Sequence, residues 1–146
     1  MKSKKTVLIT GSSRGIGRAI AVLFARNNYN VVINYNKSED KAKELYDMLT
    51  QEGLSVRMFK ADVSKIEEAN ALVNYTIGQF ENIDVLINNA QASASGVTLA
   101  DHTKDQFDLA VYSGLYAAFY YMKECYPYLK ETKGSVINFA SGAGLF

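Results

Sequence analysis

Five short runs rich in β-branched residues alternate along this chain with longer stretches of helical periodicity. That alternation constrains the fold more than any other feature. The runs are Thr6–Thr10 (TVLIT), Asn30–Tyr35 (NVVINY), Ser55–Asp62 (SVRMFKAD), Asp84–Ala90 (DVLINNA) and Gly134–Ser141 (GSVINFAS). Between them, apolar residues recur at helical spacing: Ile16, Ile20, Leu23 and Phe24; then Ala42, Leu45, Met48 and Leu49; then Ile66, Ala69, Leu72, Val73, Ile77 and Phe80. A last helical pattern runs from about Lys104 to Lys130. Strands and helices that alternate at this spacing imply an α/β fold, a parallel sheet with helices on both faces. No linker, repeat or low-complexity tract interrupts residues 1–146, which read as one domain.

The turn after the first strand reads TGSSRGIG, Thr10 to Gly17. A glycine triplet alone is weak evidence, but this one opens the first helix of the first βαβ unit. Gly11 permits a tight turn. Gly15 and Gly17 let backbone approach a ligand and helix approach sheet. The helix N-terminus then offers free N–H groups and a positive dipole end to a diphosphate. The structural alternative is a plain tight turn. With this loop in place, right-handed crossovers leave few possible topologies for the parallel sheet.

Bulk properties exclude several classes. Charged residues make up 21% and the formal net charge is +1, so neither nucleic acid nor a polybasic membrane face is indicated. MKSKK followed by TVLIT is too short for a targeting signal, and no apolar run reaches membrane-spanning length. One cysteine, Cys125, cannot form an internal disulfide, which fits a reducing cytoplasm. His102 is the only histidine, so a His-rich metal site is excluded and no metal is expected.

The glycine spacing is G-x-x-x-G-x-G. In TGSSRGIG, in Asp62–Val63 after the third strand, and in Asn88–Asn89–Ala90 after the fourth, the chain resembles the short-chain dehydrogenase/reductase family, and most of all 3-oxoacyl-acyl-carrier-protein reductases. The likeness runs over essentially the whole chain, and it implies a Rossmann-like, doubly wound parallel sheet of about five strands in order 3-2-1-4-5. It implies an oxidoreductase acting on a small-molecule carbonyl/alcohol pair. It also implies a cofactor held by Gly11, Ser13, Arg14, Gly15, Ile16 and Gly17, by Asp62 and Val63, and by Asn88 and Ala90. Asp62 would accept a hydrogen bond from the adenine amino group. Asn88 would steady the central strands and line the site.

An acidic residue ending the second strand would hydrogen-bond a ribose diol and favour NAD, and would repel a phosphate. Tyr35 occupies that position here, followed by Asn36, Lys37 and Ser38. Arg14 resembles the basic residue of NADP-preferring relatives, and a guanidinium grips phosphate bidentately. NADP(H) is therefore the cofactor expected over NAD(H). The alternative leaves Arg14 and Lys37 as solvated surface charges. Ser141 ends the fifth strand where relatives carry the catalytic serine that bonds the substrate oxygen; otherwise it is a turn serine before Gly142.

Relatives place a Tyr-x-x-x-Lys pair about a dozen residues beyond that serine. The tyrosine gives the proton and the lysine lowers its pKa. Tyr126-Pro-Tyr-Leu-Lys130 has the spacing but precedes Ser141. Pro127 disfavours helix at Tyr126. The pair is read as a chance match, and Tyr126 and Tyr128 as partly buried aromatics with wet hydroxyls. The resemblance thus predicts a chain lacking the C-terminal part of the family fold and its acid, hence catalytically incomplete. The alternative is a dinucleotide-binding module without turnover. Two further departures stand out: Gln91 where relatives carry glycine, and Gly114 where they carry asparagine in the long helix. That helix shows Phe107, Val111, Leu115, Ala118, Phe119 and Met122 on one face, which packing on the sheet would explain. Its Tyr112, Tyr116, Tyr120 and Tyr121 suit the pairing of copies. A homo-oligomer through residues 104–130 is expected, as is self-association along an exposed SVINF edge.

Overall fold

The structure is a computed structural model that describes residues 3–142. Strand β1 is Thr6–Ile9, helix α1 Gly15–Arg26, β2 Asn30–Tyr35, α2 Glu39–Gln51, β3 Val56–Lys60, α3 Ile66–Phe80 and β4 Val85–Asn88. Helix α4, Lys104–Ala110, passes through a π-helical segment, Val111–Tyr116, into α5, Ala117–Thr132; β5 is Ser135–Asn138. The five strands are parallel in the order β3-β2-β1-β4-β5, with Val7 opposite both Val31 and Val85. This is the doubly wound, Rossmann-like α/β sheet that the alternation and the family likeness together imply.

The central strands read as continuous apolar runs because both faces are covered. Alternate residues enter opposite cores. Val7, Ile9, Val31, Ile33 and Ile87 pack under α1 and α2 with Ala21, Ala25, Leu45 and Leu49. Leu8, Val32 and Leu86 pack under α3 and α5 with Leu72, Val73, Tyr121, Cys125 and Leu129. The period of two in each strand decides which core receives each side chain.

Helix faces depart from the sequence reading in two places. In α1 the inward row is Gly17, Ala21 and Ala25, while Ile16 and Leu23 face solvent. Small residues let this helix lie close on the sheet, and the larger apolar side chains stand on its flank. In the long helix the inward row is Ser113, Ala117, Tyr121, Cys125 and Leu129, at strict spacing of four. Phe107, Leu115 and Phe119, read as partly sheet-facing, are 63%, 73% and 52% exposed. The π segment adds a residue to the turn and shifts the register of everything before it relative to α5.

The reading of Tyr126 is also corrected. Tyr126 and Pro127 both lie inside α5, because burial of Tyr121, Cys125 and Leu129 holds the helix against the proline's local preference. Tyr126 is 61% exposed, with only its remaining surface covered. All strands but β2 are shorter than their apolar runs, and all four residues of β5 are exposed. Residues 143–146 of the GAGLF stretch lie outside the described residues.

Candidate functional site

The site grows from the end of β1. Gly11 turns there with φ of 61°, a left-handed conformation that favours glycine, and a Cβ on it would stand 2.9 Å from Ala90 Cα. A Cβ on Gly17 would collide with the Gly11 carbonyl oxygen and lie 2.6 Å from Asn89 Nδ2. The two glycines thus let α1 start directly against the β1 and β4 ends. Arg14 is the N-cap of α1 in extended conformation, and its side chain makes no capping bond. The first-turn N–H groups of α1 therefore lack both intrahelical acceptors and a side-chain cap, and no acidic residue sits in that turn. This is an anion-favouring end.

Polar side chains lock the loop from both sides. Asn34 accepts from Gly11 N at 2.9 Å and donates to the Ala61 carbonyl at 3.1 Å, joining the ends of β1, β2 and β3. Ser12 Oγ donates to the Ile9 carbonyl and accepts from Asn34 N. On the β4 side, Thr10 Oγ1 accepts from Asn89 N and Ala90 N, both at 3.0 Å. Asn89 Nδ2 donates to the Thr10 and Gly11 carbonyls at 3.0 and 2.9 Å. The apolar strand pattern hid these roles. A signal was available in the asparagine that closes the otherwise apolar VVIN of β2.

A cleft of about 750 Å³ lies over this loop at the C-terminal ends of the strands, where open α/β sheets take ligands. Gly11, Ser13, Arg14, Gly15, Ile16 and Gly17 line its floor. Tyr35, Asn36, Lys37 and Ser38 line it beyond β2, and Asp62 and Val63 beyond β3, with Ala90 on the β4 side. Asn89 of the Asn-Asn-Ala run, Gln91 and Ser113 also line it, as do Asn34, Ala61, Ser64, Ala92 and Leu109, which the sequence did not single out. Burial pushes the Asp62 carboxyl up, but hydrogen bonds from the Ser64 side chain and backbone, with Lys65 and Asn36 adding, hold it below the usual aspartate range. Ser64 Oγ donates to Asp62 Oδ1 at 2.6 Å. Asp62 is therefore an ionised acceptor at neutral pH. Tyr35 is buried, its hydroxyl 3.4 Å from Glu39 Oε1, and burial followed by Glu39 raises its pKa.

A second cleft of about 1030 Å³ adjoins the first and shares Asn89, Ala90 and Gln91 with it. Asn88 and Ser141 lie in this one, not the first. Asn88 Nδ2 donates to Asn138 Oδ1 at 2.8 Å, so it ties β4 to β5, while Asn89 performs the tie to the glycine loop. The walls are apolar: Leu115, Ala118, Phe119, Met122 and Phe139. Tyr126 and Lys130 line neither cleft. They sit in the last turns of α5, whose end connects to the start of β5 through Gly134 N donating to the Leu129 carbonyl. Among the described residues no three His, Cys, Asp or Glu side chains gather as metal ligands would, and no helix is long and apolar enough to cross a membrane.

Comparison with known proteins gives consistent matches. A family model described as short chain dehydrogenase matches residues 5–146. The chain is 52% identical to a 12alpha-hydroxysteroid dehydrogenase of Clostridium sp., across 97% of this chain and 57% of that protein. It is 32% identical to a 3-oxoacyl-acyl-carrier-protein reductase FabG of Staphylococcus aureus, across 99% of this chain and 58% of that one. An alcohol dehydrogenase from the archaeon Thermococcus sibiricus, solved in complex with 5-hydroxy-NADP, superposes with a TM-score of 0.86 at 30% identity, over 92% of this chain and 57% of its own. The chain thus spans little more than half the length of these relatives.

Proposed function

The chain belongs to the short-chain dehydrogenase family, and from that membership we propose that it binds NADP(H) for hydride transfer between the nicotinamide and a secondary alcohol/ketone pair. The observation that carries this reading is the first cleft. It joins an uncapped helix N-terminus, a glycine loop that admits backbone contact, and a β2 end without a lining carboxylate. A diphosphate would lie over Gly11–Gly17. Adenosine would then reach toward β2 and β3, where Asp62 accepts from the adenine amino group and Val63 packs beside it. Arg14, Lys37 and Ser38 surround the place where a ribose 2′-phosphate would stand. Glu39, the nearest acid along the chain, is turned to the Tyr35 hydroxyl. The bound 5-hydroxy-NADP of the Thermococcus relative supports the same choice.

For the substrate, the reading favours a hydroxysteroid over an acyl thioester. The 52% identity to a hydroxysteroid dehydrogenase exceeds the 32% to the acyl-carrier-protein reductase. The apolar second cleft suits a rigid hydrocarbon skeleton, with Ser141 on its wall to bond the reacting oxygen. Asn88, through Asn138, braces the strand ends that carry this cleft. Copies pair through the exposed aromatic face of α4 and α5.

One observation favours a second reading. Among the described residues the second cleft has no tyrosine, lysine, histidine or acid in its lining. Hydride transfer to a carbonyl needs a proton for the oxygen, so these residues would bind and orient while turnover is absent. Titration of NADPH and NADH by calorimetry, with turnover of a 12-hydroxysteroid and a 3-oxoacyl thioester in parallel, separates the two. Arg14→Ala should weaken NADPH binding roughly tenfold or more, the loss of a charge-assisted pair, while moving NADH about twofold or less. Equal weakening of both would remove the phosphate role. NADPH binding without turnover of either substrate would select the second reading.

A further inference from the structure

Gln91 stands where the two clefts meet, and it lines both. Its backbone is held on each side. Ala90 N donates to Thr10 Oγ1 at 3.0 Å. Ala92 is clamped twice by Ser113, whose Oγ donates to the Ala92 carbonyl and accepts from Ala92 N, both at 2.9 Å. Ser113 is itself buried in the π-helical segment. The peptide at 91 is therefore fixed to β1 on one side and to the long helix on the other, and the exposed side chain is what remains to reach a ligand.

The helix makes room for that side chain. Gly114 lies in the same π segment, and a Cβ built on it would have Gln91 Nε2 at 3.9 Å and Gln91 Cγ at 4.0 Å as its nearest neighbours. A larger side chain at 114 would occupy the space into which the carboxamide extends. A π-helical turn, a glycine within it, and a long amide lying over that glycine form one local arrangement. π segments recur at functional sites.

Sheet order tells which part of a dinucleotide would meet this amide. The glycine loop belongs to β1, and the Tyr35–Ser38 and Asp62–Ser64 walls follow β2 and β3 on one side of it. Gln91 follows β4, on the other side. With the diphosphate over the loop and the adenosine toward β2 and β3, the second nucleoside must run toward β4. A nicotinamide riboside presents hydroxyls and a carboxamide, groups that both donate and accept. The glutamine carboxamide offers two N–H donors and a carbonyl acceptor to match.

We infer that Gln91 is a cofactor-contacting residue of this chain, whose carboxamide, seated over Gly114, hydrogen-bonds the nicotinamide riboside half of the dinucleotide at the junction with the second cleft. This rests on the NADP(H) reading above. The test is calorimetric titration of the 146-residue chain and its Gln91→Ala and Gln91→Met variants with two probes, NADPH and adenosine 2′,5′-bisphosphate, which lacks the nicotinamide half. Loss of one hydrogen bond should raise the NADPH dissociation constant about three- to tenfold in both variants. Adenosine 2′,5′-bisphosphate should bind all three proteins alike, which also shows that the variants keep the adenosine end folded. An unchanged NADPH affinity in both variants would overturn the inference while leaving NADP(H) binding intact. So would equal weakening of both probes, the mark of a structural role, or retention of affinity by Met alone, the mark of bulk rather than hydrogen bonding. A wild-type chain that binds neither probe would remove the NADP(H) reading and this inference with it.

Discussion

Tyr121 lies fully buried under the sheet, and among the described residues its hydroxyl has no hydrogen-bond partner. A buried, unpaired hydroxyl costs about 1–3 kcal/mol. Tyr121→Phe keeps the ring and removes that cost, so it should stabilise the chain by about 1 kcal/mol, read as a rise of a few degrees in Tm. A fall in Tm would show that the hydroxyl is satisfied by a buried water. One turn on, burial and then Glu124 push the Cys125 thiol up to about 12 from 9.0. Because the folded thiol holds its proton longer than the unfolded one, its contribution is intact below 9.0 and is lost as pH rises toward about 12. Burial raises the Tyr121 hydroxyl as well, in the same direction. Denaturant midpoints should therefore fall as pH rises from 9.0 toward about 12, and less steeply in Tyr121→Phe. An equal slope in the variant would place the alkaline sensitivity elsewhere. The hydrogen-bonding roles of Asn34 and Ser12 at the glycine loop, and of Ser113 on Ala92, were illegible in the sequence. Short polar side chains look alike whether they hydrogen-bond water or backbone, and only the fold shows which carbonyls they meet.

Helix α5 carries Pro127 in its interior. The proline removes a backbone donor from the turn and crowds the preceding carbonyl. It survives because Cys125 and Leu129, on either side, are buried against the sheet. Pro127→Ala at this exposed position should stabilise the protein by about 2 kcal/mol. That is somewhat less than the full propensity difference, because alanine also loosens the unfolded chain. Thermal denaturation checks it, and a lower Tm would mean that the proline shapes the approach to β5. At this scale the sequence was readable in outline and unreliable in detail. All strands and the helices between them follow from the alternation of periods, and their order follows from the family likeness. Helix faces fail where two patterns compete. In α1 the small residues Gly17, Ala21 and Ala25 carry little hydrophobic signal yet form the buried row. In the long helix a π turn breaks the period of 3.6 on which any face is drawn.

Across the whole molecule, the two sides of the sheet differ in what they leave uncovered. At the β3 edge, Val56 is fully buried, and the strand itself carries the charged Arg57 and Lys60. At the β5 edge, Val136, Ile137 and Phe139 are exposed, and the neighbouring helix adds Phe107, Leu115, Tyr116 and Phe119. Leu115, Phe119 and Phe139 also line the second cleft, and β5 is the edge strand of the sheet, so this flank combines a strand edge with exposed aromatic surface. Isolated exposed apolar residues are ordinary, but a contiguous group of this kind marks a contact surface. Strand edges pair, and helix faces rich in aromatic residues dock. The chain should therefore self-associate through this flank. Sedimentation velocity over a hundredfold range of concentration should show species larger than the monomer. Phe119→Asp places a charge on the helix face, and Val136→Lys places one on the strand edge. Either substitution should shift the distribution toward monomer, and the one with the larger effect identifies the dominant contact. A wild-type chain that stays monomeric throughout would show that this flank is not a surface between copies. Because Phe119 also walls the second cleft, the strand-edge variant is the cleaner probe of association alone.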